Sequence, residues 1–191
     1  MKRSVGARPI VYPAPVFIIG TYDANGKPNV MAVSWAGICA SMPPCVSISI
    51  RKATYTYGCL MERKAFTVSI PSETHIKEAD YFGSVSGRET DKFSDTGLTA
   101  VKSDLVDAPY VAEFQFVLEC RVIQIHQIGS HTQFIGEIID IKADETVLDK
   151  NGRPDIELIK PFCYTPEQGG YYSIGKQLGT AYSMGSAYIK V

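Results

Sequence analysis

Apolar and polar residues alternate with a period of two over much of the chain, and that period predicts strands rather than long helices. Residues 16–22 run apolar into Asp23-Ala24-Asn25-Gly26-Lys27, a set rich in residues that tolerate positive φ, and residues 30–36 return from it. This is the pattern of a hairpin. Pro43-Pro44 then breaks the chain, and residues 45–51 alternate cleanly, with Val46, Ile48 and Ile50 on one face and Ser47, Ser49 and Arg51 on the other. One face belongs to a core, while the other meets water, a ligand or a second chain.

After Arg51 the period changes. Thr54 is placed to cap a short helix through Cys59, Leu60 and Met61, with Arg63 and Lys64 at the end where the helix dipole favours cations. Phe66, Val68 and Ile70 restore the strand period. Pro71-Ser72 opens a second helix, with Ser72 as its expected cap and Ile76, Ala79 and Phe82 at helical spacing. Residues 83–97 read as one long polar loop, a length that in a compact domain is usually functional or disordered.

The longest strand candidate spans residues 113–128. Phe114, Phe116, Leu118, Cys120 and Val122 share one face before the phase flips to Ile123 and Ile125, which predicts a β-bulge. Gly129-Ser130 makes a tight turn, and residues 131–142 return with Ile135, Ile139 and Ile141 in one register. The expected architecture is mainly β with a few short helices, and a bulge of this kind is common where a sheet curls into a barrel.

Composition narrows the functional classes. In 191 residues, 19 Lys and Arg stand against 20 Asp and Glu, for a formal charge of −1, which argues against a basic nucleic-acid module or electrostatic docking on acidic membranes. A chain of this length can bury a core without staples, and with no internal repeat it is read as a single domain over 1–191. No segment is apolar and long enough for a membrane span, and the basic start lacks the apolar stretch of a signal peptide, so a cytoplasmic location is expected. Five dispersed cysteines and three histidines form neither a disulfide framework nor a zinc site.

Familiar motifs fail. Gly170, Gly175 and Lys176 imitate a P-loop, but Gln177 replaces the hydroxyl residue that would hold Mg²⁺. Neither a Gly-rich dinucleotide fingerprint nor a hydrolase elbow occurs, and no nucleophile stands with its base. What remains is polar groups at strand ends. Arg51-Lys52-Ala53-Thr54-Tyr55-Thr56 offers two cations and two threonine hydroxyls where a strand enters a helix, which reads either as a phosphate cradle or as a solvated turn. Trp35, the single tryptophan, suits a wall for a flat ring or a place in the core. His131, beside a tight turn, is open to both a functional and a structural reading.

The segments Pro15 through Gly37, Pro43-Pro44-x-Val46-Ser47-Ile48-Ser49-Ile50-Arg51, Phe66-Thr67-Val68-Ser69-Ile70-Pro71-Ser72, Ser86-Gly87-Arg88 with Asp91-Lys92-Phe93, and Gly129-Ser130-His131-Thr132 with Phe134-Ile135-Gly136-Glu137 occur in this order. Together they resemble the flavin reductase-like, FMN-binding split-barrel family, closest to its flavoredoxin branch. The resemblance implies a Greek-key barrel that holds FMN at the interface of a homodimer. It assigns Asn29 and Trp35 to the isoalloxazine edge and ring, and Thr56, with Arg51, Lys52 and Thr54, to the phosphate end. Ser86, Lys92 and His131 become polar contacts to the flavin, and Tyr164 an aromatic packing position. Cys39, just past Trp35, is a lesser redox candidate. As an enzyme, such a chain would take a hydride from NADH or NADPH onto flavin N5, with the protein supplying orientation and electrostatics. As a flavoredoxin-type carrier it would instead exchange electrons with protein partners.

Overall fold

The computed structural model describes residues 1–189. A two-residue strand, β1 (Ala14–Pro15), precedes the expected hairpin of β2 (Phe17–Tyr22) and β3 (Pro28–Val33). The hairpin turns as its sequence directs: Asp23 Oδ1 accepts the amides of Asn25 and Lys27 at 2.9 and 2.8 Å. β3 ends two residues before the position given to Trp35, so the tryptophan lies in a link and not on the strand. That link leads into a strand the alternation did not announce, β4 (Ala36–Ser41), which pairs with β5 (Pro44–Arg51).

Helix α1 (Tyr55–Arg63) follows Thr54 as expected, but the Thr54 side chain does not cap it; its Oγ1 donates to the Arg51 carbonyl at 2.9 Å. After β6 (Ala65–Ile70), Ser72 likewise makes no cap bond, because a 3₁₀ turn at Glu73–His75 intervenes before α2 (Ile76–Ser84). The presumed loop at 83–97 is shorter than expected, since α3 (Lys92–Thr96) forms within it under an Asp91 cap that accepts Ser94 N at 3.2 Å. A small hairpin, β7 (Ala100–Lys102) and β8 (Pro109–Val111), precedes the two long strands β9 (Phe116–Ile128) and β10 (His131–Ala143). A one-turn helix α4 (Ile156–Ile159) and the pair β11 (Phe162–Thr165) and β12 (Gly170–Ser173) complete the body.

Seven strands form one antiparallel sheet in the order β3-β2-β6-β9-β10-β5-β4. Its two edges, β3 and β4, are joined by Ser34 and Trp35 alone, so the sheet has to curl until its ends meet. A hydrogen bond from Ser49 N to the Trp35 carbonyl at 2.8 Å fixes that meeting. The result is a Greek-key barrel with a split. The phase flip in β9 is a bulge: Gln124 pairs with Ile135 and Val122 with Gly136, leaving Ile123 over. A second irregularity at Ile139 breaks the single register expected of Ile135, Ile139 and Ile141, and both Ile139 and Ile141 are exposed.

Two cores sit on opposite faces of the sheet. Inside the barrel, Ile19, Val46, Ile48, Phe66, Val68 and Phe134 pack together. Outside, α2, α3, β8 and β11 lie over the β2–β3 hairpin and bury Ile18, Val30, Phe82, Phe93 and Phe162. Phe114, expected on the β9 face with Leu118, belongs to this outer core because it precedes the strand.

Candidate functional site

Where the barrel splits, a cleft of about 780 Å³ opens. Met31, Ala32, Val33, Ser34 and Trp35 form one wall, and Ser49, Ile50 and Arg51 at the end of β5 form another. Asp80, Gly83 and Ser84 of α2, Ser130 and His131 before and at the start of β10, and Tyr164 and Tyr171 of the β11–β12 pair close the perimeter. This size lies within the about 300–1,000 Å³ of small-molecule sites.

Its chemistry is uneven along its length. Trp35 is 43% exposed, so its ring is not a core group. Tyr164 and Tyr171 pair at a centroid distance of 5.8 Å. Tyr171 OH donates to Asp80 Oδ1 at 2.9 Å, and burial together with this bond pushes its phenol up to about 12, so it remains a donor across the working pH range. The other end is cationic. Arg51 and His131 are cross-strand partners, Ser130 Oγ stands 3.0 Å from His131 Nδ1, and Thr54 lies beside them at the start of α1. Arg88 Nη1 donates to the Ala53 carbonyl at 3.3 Å, which brings another cation to the same turn.

The structure therefore gathers Trp35, Arg51, Thr54, His131 and Tyr164 around one cleft. It does not bring Asn29, Lys52, Thr56, Ser86 or Lys92 to the lining. Lys52 is exposed on the turn. Asn29 and Thr56 are buried against each other, with Asn29 Nδ2 donating to Thr56 Oγ1 at 3.0 Å. Ser86 sits in the arch over that pair, and the arch passes so close that a Cβ on Gly87 would lie 2.2 Å from Asn29 Oδ1. Lys92 is 4% exposed and donates to the carbonyls of Val30 and Phe82 at 2.9 and 2.8 Å. Cys39 is exposed on β4, away from the lining. No sequence pattern points to Asp80 and Tyr171, because 91 positions separate them and only the packing of β12 beside α2 joins them.

Burial pulls the Lys92 ammonium down to about 8 from an ordinary 10.5. Between those values the unfolded chain holds more protons than the folded one, so this group makes stability rise with pH. Measured as urea midpoints, the stability of the wild type relative to Lys92→Met is expected to increase by about 2 kcal/mol from about pH 7.5 to about pH 9.5. Taking the difference cancels the tyrosines and thiols that titrate nearby. A flat difference would mean that water reaches the ammonium.

Residues 9–171 match the flavin reductase like domain. Among solved structures the chain is similar to flavoredoxin of Desulfovibrio vulgaris (Miyazaki F), at 51% identity and a TM-score of 0.92 over 97% of this chain and 100% of that one. Flavoredoxin from Methanosarcina acetivorans superposes with a TM-score of 0.92 at 29% identity, over 99% of this chain and 100% of that one. A ferric-chelate reductase (NAD(P)H) from Archaeoglobus fulgidus is 30% identical over 127 residues, covering 64% of this chain and 72% of that protein. With the family's domain matched from residue 9 into β12, on a split barrel of the same shape, this chain belongs to the flavin reductase like family.

Proposed function

We propose that the cleft holds FMN and that the protein is an NAD(P)H-dependent reductase of flavin, ferric iron or another small acceptor. The observation that carries this reading is one cleft with aromatic groups along its side and cations at a helix start. The donor set fits FMN. Because Thr54 turns its hydroxyl to Arg51 O, the first amides of α1 carry no side-chain cap, and with Arg51 they offer a dianion both N–H groups and charge. Trp35 and Tyr164 give the tricyclic ring apolar faces, while His131 and Ser130 offer polar contacts at its edge.

When bound, FMN would supply the redox chemistry that no side chain of the cleft provides. The chain's own groups bind and orient. Arg51 and the first amides of α1 would hold the phosphate, and the aromatic walls would set the ring plane. The reading includes a homodimer, which the exposed Ile123, Ile139 and Ile141 of β9 and β10 support. It also includes a reducing, cytoplasmic setting, which the five free thiols support.

A second reading, a flavoredoxin-type carrier that trades electrons with proteins, is favoured by the likeness to the Desulfovibrio flavoredoxin. Anaerobic titration of the FMN-loaded protein with NADH and then NADPH separates the two. The reductase reading expects stoichiometric bleaching of the visible flavin absorption by one of the nucleotides. A yellow protein that bleaches only with dithionite or a reduced protein carrier would replace it with the second reading.

A further inference from the structure

Lys92 is the buried cation that the proposed site leaves unused. Its position is fixed from several sides. Asp91 caps α3 and pairs with Lys27 at 3.1 Å, Thr96 Oγ1 donates to the Lys92 carbonyl at 2.7 Å, and Phe93 packs on Phe82 with ring centroids 6.5 Å apart. The side chain then runs back to two carbonyls. Phe82 O belongs to the last turn of α2, where carbonyls lack helical partners and the dipole attracts a cation. Val30 O lies on β3, an edge of the seven-stranded sheet where main-chain acceptors lack a neighbouring strand.

Each of those carbonyls sits next to the cleft. Val30 is followed by Met31, the first residue of the β3 wall, and Phe82 by Gly83, the α2 residue on the lining. The wall spacing is tight here, since a Cβ on Gly83 would stand 3.4 Å from Ala32 Cβ. One Nζ therefore spans the gap between the two walls from behind. We infer that Lys92 is a positioning residue, tying β3 to the end of α2 so that the cleft keeps the width its ligand needs. The inference rests on the flavin reading of the cleft and departs from the role the resemblance assigns to Lys92, a direct contact to the flavin. Buried polar groups that hold site residues from behind commonly change affinity about 10–100-fold when removed.

The test compares Lys92→Met with Lys92→Arg, reading the FMN dissociation constant by quenching of flavin fluorescence. Met fills the volume of the lysine stem without donors, whereas Arg keeps donors for both carbonyls. Positioning through the two bonds predicts an FMN Kd at least about tenfold higher for Met and within about threefold of wild type for Arg. A role in filling space predicts the reverse order, and that result would overturn the inference. At saturating FMN, the visible spectrum and reduction potential of the Met variant should match those of wild type. A shifted potential would mean that Lys92 touches the flavin, which also overturns it. If the Met chain does not fold, the Arg chain decides alone: a folded Arg variant that binds FMN tenfold more weakly sinks the inference. Wild-type protein that binds no FMN would instead refute the flavin reading itself, before any variant is compared.

Discussion

Gly20→Ala is expected to prevent stable folding. Gly20 lies in the middle of β2, between β3 and β6, and the β7–β8 hairpin crosses directly over it. An added Cβ would stand 2.1 Å from the Pro109 carbonyl oxygen and 2.5 Å from Thr67 Oγ1. Neither neighbour can yield cheaply. The first is backbone of β8, and the second already donates to that same carbonyl at 2.6 Å in a fully buried bond. Forcing them apart adds an overpacking cost of about 1–3 kcal/mol or more to the loss of a buried hydrogen bond, about 1–3 kcal/mol. The sum approaches the whole stability of a domain at the lower end of about 5–15 kcal/mol. Soluble yield and the urea midpoint of the purified variant check this. A variant that unfolds at the wild-type midpoint would mean that β8 does not rest on β2.

The parts of this architecture that could be read from the sequence are those where one period dominates. Residues 45–51 alternate because one face of β5 fills the barrel while Ser49 and Arg51 on the other line the cleft. The bulge in β9 announced itself because a buried stripe cannot change face without an extra residue. β4 stayed hidden for the opposite reason. Ala36–Ser41 buries no face, pairs with β5 alone and carries Gly, Ala, Cys and Ser, so it has no alternation to detect. The loop assigned to 83–97 concealed α3 because five residues make little periodicity, and a lysine in a polar stretch gives no sign that its ammonium will be buried.

The site divides along the same line. Arg51, Thr54 and His131 lie at or beside strand ends, where the chain must leave the core and polar groups collect, so local sequence marks them as candidates and the fold places them on one cleft. Asn29, Thr56 and Lys92 carry equally polar groups, yet each has a partner 27 or 62 positions away, and those bonds occupy them within the packing. Asp80 and Tyr171 reach the cleft by the same kind of distant pairing.

Arg51→Ala is expected to raise the Kd for FMN about 10–100-fold while leaving that for riboflavin within about twofold. A charge-assisted hydrogen bond contributes about 1.5–3 kcal/mol, and each 1.4 kcal/mol is a factor of ten in affinity. Arg51 lines the cleft beside Thr54 and the uncapped start of α1, so the phosphate is the part of FMN that its guanidinium would meet. Riboflavin keeps the ring and the ribityl chain but has no phosphate, which makes the ratio of the two affinities report on that end alone. Lys52 is the internal control: it is exposed and absent from the lining, and its replacement by Ala should move either Kd less than about threefold. Added salt should weaken FMN binding to wild type more than to Arg51→Ala, because an exposed cation attracts its dianion through screened charge. Equal weakening of FMN and riboflavin would place Arg51 against the ring and move the phosphate to another part of the cleft. No weakening of either would shift the anchoring role to Arg88, which also reaches the turn before α1.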